Sequence, residues 1–204
     1  MRYLAAVLLL AATSPGMAAV GAKLDLPAGS YAGDRAHTSV TWRVMHFGLS
    51  NYTARFAKVA STIVLDPVDV GRSKLDVTID ANSVRTDFPF PEKENFDAEI
   101  GGDAKFLNGK AFPQIRFVST RIVATGPKTA QVTGDLTLRG VTRPVTLDVR
   151  FNGSVTKHPM LKVPVFGISA TGLLKRSAFG MDYGLQFVGD DVTLQIEAEF
   201  QGDK

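Results

Sequence analysis

The amino-acid sequence predicts an all-β fold, an antiparallel barrel of about eight strands, and three observations carry that expectation. Apolar residues recur at every second position in run after run, the spacing that turns one face of a strand toward a core. Helical spacing is confined to a single stretch between Pro91 and Asn108. So many antiparallel strands leave unpaired edges unless the sheet closes on itself, and closure into a barrel removes them.

The elements follow in chain order. Residues 1–19 have the pattern of a secretory leader: a basic start at Arg2, an unbroken apolar run from Leu4 to Ala12, a break at Thr13-Ser14-Pro15-Gly16, then the small residues Ala18, Ala19 and Ala22. The run is too short to span a bilayer, and no later stretch approaches ~20 consecutive apolar residues, so no integral membrane segment is expected. Residues 20–204 are then expected to form one domain. The first strand carries Val40, Trp42, Val44 and His46 on one face between Ser39 and His46. Val59, Ser61, Ile63 and Leu65 form the second such set, and Leu75, Val77 and Ile79 the third. Ile115, Phe117 and Ser119 follow the helical stretch. Asp135 to Phe151 is a hairpin about a Gly- and Pro-bearing turn, with Leu136 and Leu138 on one arm and Val145, Leu147, Val149 and Phe151 on the other. Phe166, Ile168, Ala170, Gly172 and Leu174, then Val192 to Phe200, complete the set.

The segment Pro91 to Asn108 opens with Pro and two glutamates, as helices do, and Gly101-Gly102 interrupts it. One or two short helices flanking a loop are expected there, capping one barrel end. An eight-stranded barrel is either filled by its own side chains or holds one small ligand. Ser61, Ala170 and Gly172 stand among bulky inward residues, and small interior residues are expected to leave room.

Three segments then resemble a known family. Tyr31-Ala-Gly-Asp34-Arg-Ala-His37-Thr-Ser-Val-Thr-Trp42-Arg-Val-Met-His46-Phe-Gly48, Thr133 through Leu147, and Phe166 through Met181 are similar, in order and spacing, to the signatures of the YceI-like family of periplasmic polyisoprenoid-binding proteins. The resemblance covers about Tyr31 to Phe200 and implies a lipocalin-like β-barrel in the periplasm. It implies further that a long apolar chain, whether a polyisoprenoid, an isoprenoid quinone or a fatty-amide-like lipid, sits in the barrel and is carried there. Ala54, Ala178 and the Asn95-Phe96-Asp97 stretch depart from the family pattern and bear on the ligand's polar end. On this view the pocket is lined by Val40, Trp42, Val44, His46, Phe56, Ile63, Phe117, Leu136, Leu138, Val145, Leu147, Ile168, Ala170 and Leu174. Burial of a methylene contributes ~0.8 kcal/mol, so part of a prenyl chain suffices for affinity.

Polar residues offer less. His46 shares a face with Trp42 and is the inward candidate for a ligand's head group, with Arg143, Lys175 and Arg176 as rim candidates for phosphate oxygens and Arg139 as a further base at the turn. His37 and Asp34 are expected to form a structural hydrogen-bonded pair. His37 and His46 have opposite strand parity, so no shared metal and no metal site are expected. Cysteine is absent, which removes disulfides, thiol nucleophiles and thiolate metal sites. No Gly-x-Ser-x-Gly turn and no phosphate-cradling glycine loop occurs, and no cofactor or catalytic residue is expected. A pocket enzyme using His46 or the Asp34/His37 pair as acid or base is the alternative. Without residues 1–19 the chain holds 22 basic and 20 acidic side chains, with no basic block to bind nucleic acid. A homodimer is compatible with this composition.

Export makes a direct prediction. Protein recovered from the periplasm is expected to begin after Ala18, Ala19 or Ala22 on N-terminal sequencing; Met1 retained on the working protein would overturn it.

Overall fold

A computed structural model describes residues 23–203. The expected leader lies outside the described residues. These are β1 Gly29–Gly33, β2 Ser39–His46, β3 Ser50–Phe56, β4 Val59–Leu65, β5 Lys74–Asp80, β6 Val84–Arg85, α1 Phe96–Gly102, β7 Gln114–Gly126, β8 Thr129–Leu138, β9 Val141–Val155, β10 Val165–Lys175 and β11 Val188–Gly202. Among the described residues no helix is long and apolar enough to cross a membrane.

Three pairs of segments act as single bent strands. β1 and β2 both pair with β11, separated by a kink at Asp34–Thr38; β3 and β4 bend at Ala57–Lys58; β5 and β6 bend through Ala81–Ser83. Ser83 joins two of these bends: its carbonyl accepts the Ala57 N–H at 2.9 Å and its hydroxyl accepts the Lys58 N–H at 3.1 Å. Counted this way, eight antiparallel strands form a closed ring in which each pairs with its neighbours in sequence and β11 returns to β1 and β2. Alternation then divides every strand into an inward and an outward row.

The turn between β8 and β9 is a two-residue loop, Arg139-Gly140, with φ of 52° and 74° and Leu138 facing Val141. Both residues are left-handed, as the tight hairpin turn that matches strand twist requires. Pro144 lies within β9 on the exposed face, not in the turn.

The interior has two different halves. At the far end Tyr31, Phe166 and Phe200 form a plug: Phe166 stacks on Phe200 at 5.0 Å and meets Tyr31 edge-on at 5.3 Å. Tyr31 is almost wholly buried, and its hydroxyl donates to the Pro27 carbonyl at 2.8 Å. Above the plug the small inward residues serve packing, contrary to the expectation that they leave room. A Cβ at Gly172 would stand 2.6 Å from Leu147 Cδ2, and one at Gly134 would stand 2.4 Å from Phe117 Cζ. Ser61 fills the space over Gly33, where a Cβ would lie 2.1 Å from its Oγ. Ala170 is buried in register with Ile196, which itself faces Val40, and the groove it borders lies on the outer wall among Asp148, Thr171 and Gln195. Large neighbours occupy what the small residues vacate, as close packing demands.

The helical excursion is one short helix. Gly101 and Gly102 form its buried last turn and do not break it. A Cβ at Gly101 would lie 3.2 Å from both the Ala81 carbonyl and Asn82 Cα, so the glycine lets α1 seat directly on the β5–β6 bend.

Ala170→Trp is expected to overpack this half, lowering stability by ~1–3 kcal/mol or more and the melting temperature with it. A mutant that melts with wild type would show open space at that height.

Candidate functional site

The other half of the barrel holds a cavity of about 660 Å³. Its floor and walls come from inward rows: Val40, Trp42 and Val44 of β2, Tyr52 and Phe56 of β3, Ile79 of β5, Ile115 of β7, Leu136 and Leu138 of β8, Leu174 of β10, and Val192 and Leu194 of β11. The roof comes from outside the strands. Phe96 and Ile100 of α1, Phe88, Phe106 and Leu107 beside it, and Met181, Tyr183 and Phe187 of the segment before β11 close over the top. Aromatic pairs join these pieces: Phe106 meets Tyr183 edge-on at 5.8 Å, Phe88 meets Phe96 at 5.3 Å, and Phe47 stacks on Phe187 at 5.0 Å. Phe47, Tyr183 and Phe187 are about half exposed while lining the cavity, so it opens past them to the surface.

Polar contacts anchor the roof. Asp97 Oδ1 accepts both the N–H and the hydroxyl of Thr86, each at 2.7 Å, which ties α1 to the chain following β6. Asn95 caps α1 by accepting the Ala98 N–H at 3.1 Å. From the hairpin tip, Arg139 Nη1 donates to the carbonyls of Ala104 and Phe106. Arg176 is buried and gives four hydrogen bonds of 2.7–2.9 Å to the carbonyls of Met181, Tyr183, Val188 and Gly189. Burial lowers its pKa, with Asp190 and Asp182 opposing. Four of the five N–H groups of a guanidinium are thus engaged in shaping the roof segment.

Of the residues expected at a pocket, Val40, Trp42, Val44, His46, Phe56, Leu136, Leu138 and Leu174 meet around this one cavity. Phe117, Val145 and Leu147 lie in the packed core beside the cavity without lining it, and Ile63 and Ile168 pack against the plug. With Ala170, these six expected pocket residues are not among those that line the cavity, because neighbouring side chains pack over them. Among the head-group candidates, Arg176 borders the cavity but serves the backbone, and Lys175 points outward to Asp191 at 2.7 Å. Arg143 is exposed near the hairpin end, its nearest hydrogen bond going to the Thr142 carbonyl. His46 stands at the mouth with Phe47 edge-on at 4.7 Å. Trp42 Nε1 is buried and has no hydrogen-bond partner among the described residues.

Asp34 and His37 lie at the β1–β2 kink and border none of the cavity. Asp34 Oδ2 is 2.7 Å from His37 Nδ1 and accepts from Gln201 Nε2 at 2.7 Å, while Oδ1 accepts the Ala36 N–H. Glu199 brings a carboxylate to the same group, whose three possible ligand atoms lie within 4.8 Å of one another. Spacing along the chain did not reveal this neighbour, because Glu199 arrives from the last strand. The 91–108 excursion caps the barrel end as expected, but the part its side chains take in lining the cavity went unread, although five of the chain's 13 phenylalanines fall between Phe88 and Phe112, where no strand alternation accounts for them.

A closed barrel with an apolar-lined cavity open at one end is the architecture of small binding proteins. Residues 31–200 match the family model of the YceI-like domain, and the chain belongs to that family. A UPF0312 protein of Pseudomonas putida strain W619 is 35% identical over 145 residues, 71% of each chain. One of Staphylococcus aureus strain USA300 is 31% identical over 82% of this chain and 94% of its own. Among solved structures, Burkholderia cenocepacia BcnA superposes with a TM-score of 0.70 at 22% identity, over 82% of this chain and 98% of its own. The Campylobacter jejuni YCEI protein does so with a TM-score of 0.67 at 27% identity, over 78% and 90%. A domain from Saccharophagus degradans, described as polyisoprenoid-binding, has a TM-score of 0.56 at 12% identity, over 87% and 100%.

The Asp34–His37 pair has a pH signature. The hydrogen bond to Asp34 raises the His37 pKa above its ordinary 6.5, and the same bond lowers Asp34 below 3.8. His37 therefore stabilises fully below 6.5 and loses its contribution as pH rises through its folded value; Asp34 contributes above 3.8 and loses it as pH falls through its own. The melting-temperature gap between wild type and Asp34→Asn is expected to be widest between these limits, near pH ~5, and to narrow toward pH ~9. Equal gaps at both would show that the pair makes no charge-dependent contribution.

Proposed function

We propose that the protein is an exported, periplasmic carrier that holds one long apolar chain, a polyisoprenoid, isoprenoid quinone or similar lipid, in the upper half of its barrel. The observation that carries this reading is the cavity of about 660 Å³, walled by aliphatic and aromatic side chains and open at one end. Its size falls within the range of pockets that hold small molecules, about 300–1,000 Å³. Membership in the YceI-like family and the description of the Saccharophagus degradans domain support a binding role. The plug of Tyr31, Phe166 and Phe200 limits depth, so only part of a long chain is enclosed and the rest passes the mouth.

Binding rests on burial, at ~0.8 kcal/mol per methylene. The unpartnered Trp42 N–H gives preference to ligands that bring an oxygen to the indole, because that oxygen completes a buried donor. Catalysis finds less support: Asp34 and His37 sit away from the cavity, and His46 has no carboxylate partner among the described residues.

Organic extracts of protein purified from its native periplasm are expected to contain a prenyl or long-chain lipid by mass spectrometry. Delipidated protein should take up a short-chain ubiquinone more tightly than squalene. Val44→Trp, which places an indole in the cavity, should weaken uptake ~10-fold or more while the protein stays folded. Extracts free of apolar molecules together with no uptake of either probe would overturn the proposal.

A further inference from the structure

The cavity mouth carries an apolar lip that the barrel itself does not need. Leu49 is 86% exposed, Phe47 54%, Phe187 49% and Leu185 39%. They lie on two adjacent segments, the β2–β3 tip and the stretch before β11, joined by the Phe47–Phe187 stack and by the Phe47 N–H donating to the Phe187 carbonyl at 2.6 Å. Phe47 and Gly48 have φ of 50° and 68°, so the tip is a tight turn that holds a bulky phenyl in the left-handed region. The turn leaves Leu49 pointing to solvent.

The lip also lacks acidic, lysine and arginine side chains. No Asp, Glu, Lys or Arg occurs from Val44 through Ala54 or from Tyr183 through Gly189, in a chain that is 21% charged. Beside it, the ammonium of Lys105 lies 5.1 Å from the Tyr183 ring centre; elsewhere on the roof, that of Lys93 lies 4.5 Å from the ring centre of Phe90, which meets Phe88 edge-on. A tip without Asp, Glu, Lys or Arg, bracketed by Arg43 and Arg55 on one segment and by Asp182 and Asp190 on the other, with the Lys105 ammonium against the Tyr183 ring, has the arrangement that enters the boundary between lipid head groups and acyl chains, its charged side chains left at head-group level.

We propose that this lip docks the mouth of the barrel onto a phospholipid surface, so that the ligand passes between bilayer and cavity without crossing water. The charge pattern favours a membrane over a second copy of the chain, since the lip carries no Asp, Glu, Lys or Arg to pair with the same lip on a partner, while the Lys105 ammonium beside the Tyr183 ring suits phosphate oxygens. Leu24 and Leu26, near the start of the described residues, pack with the plug at the opposite end from the lip. The inference rests on the lipid-binding reading of the cavity, and its test separates the two.

Purified protein is mixed with phosphatidylcholine vesicles, with and without phosphatidylglycerol, and floated on a density gradient. Wild type is expected to float with both. Leu49→Glu combined with Leu185→Glu, at exposed positions outside the cavity wall, should cut the floated fraction about tenfold, because two carboxylates at the lip must be desolvated. The same double variant should bind short-chain ubiquinone in solution as wild type does, whereas Val44→Trp should float normally and bind it poorly. Loss of uptake in Val44→Trp without loss of flotation supports docking and cavity separately. Wild type that stays with the soluble fraction, a double variant that floats unchanged, or dimers in sedimentation that the double variant abolishes without any vesicle binding would each overturn the docking proposal.

Discussion

Everything in this barrel depends on one edge of β11. One side of that strand pairs with β10 along its length, and the other must hold two separate segments, β2 opposite Val188–Glu197 and β1 opposite Phe200–Gly202. The ring closes only if the chain bends between them. Asp34 makes the bend: its N–H donates to the Glu199 carbonyl at 2.8 Å, its carbonyl accepts the Thr38 hydroxyl at 2.6 Å, and its carboxylate takes Ala36, His37 and Gln201. With the ring closed, no long edge is left unpaired, and the alternation of each strand acquires an inside.

That inside is made of the same residue types throughout, yet it behaves differently at its two ends. Below the cavity, side chains fill the space over glycines: Phe117 over Gly134, Leu147 over Gly172, Ser61 over Gly33. Near the mouth, large residues face one another across the barrel with no filling partner between, and a void of about 660 Å³ remains. A cavity in a tightly packed protein forfeits dispersion contacts along its lining. A guest restores them, which is the physical basis of the binding reading.

The roof shows how a binding protein can keep such a void accessible. It is not built from ladder hydrogen bonds but from single anchors: Arg176 to four carbonyls, Asp97 to Thr86, Arg139 to the turn after α1. Arg176 is instructive because its buried charge meets neutral carbonyls at hydrogen-bond distance rather than a carboxylate, so it orders the backbone without becoming a separate ionic site for a head group. The apolar residues it positions, Tyr183 and Phe187, form the cavity wall on one side and the protein surface on the other.

Period-two alternation made the strands from Ser39 to His46 and from Val59 to Leu65 legible with their observed ends, and it placed Trp42, Val44, Leu136 and Leu138 on one inward face. The family signatures carried the barrel as a whole. Alternation reports a face and nothing else, because it is a property of one strand. It says nothing of height within a barrel, which depends on how strands are staggered against one another. Ile168, Ala170 and Leu174 are therefore indistinguishable along the sequence, although only Leu174 reaches the cavity. Nor does local pattern show which distant groups meet: Glu199 beside His37, Arg176 beneath Tyr183, Phe106 against Tyr183. The sequence by itself determined which side chains point inward; which of them touch a void, and what covers it, was decided by strand stagger and by loops that fold back over the ring.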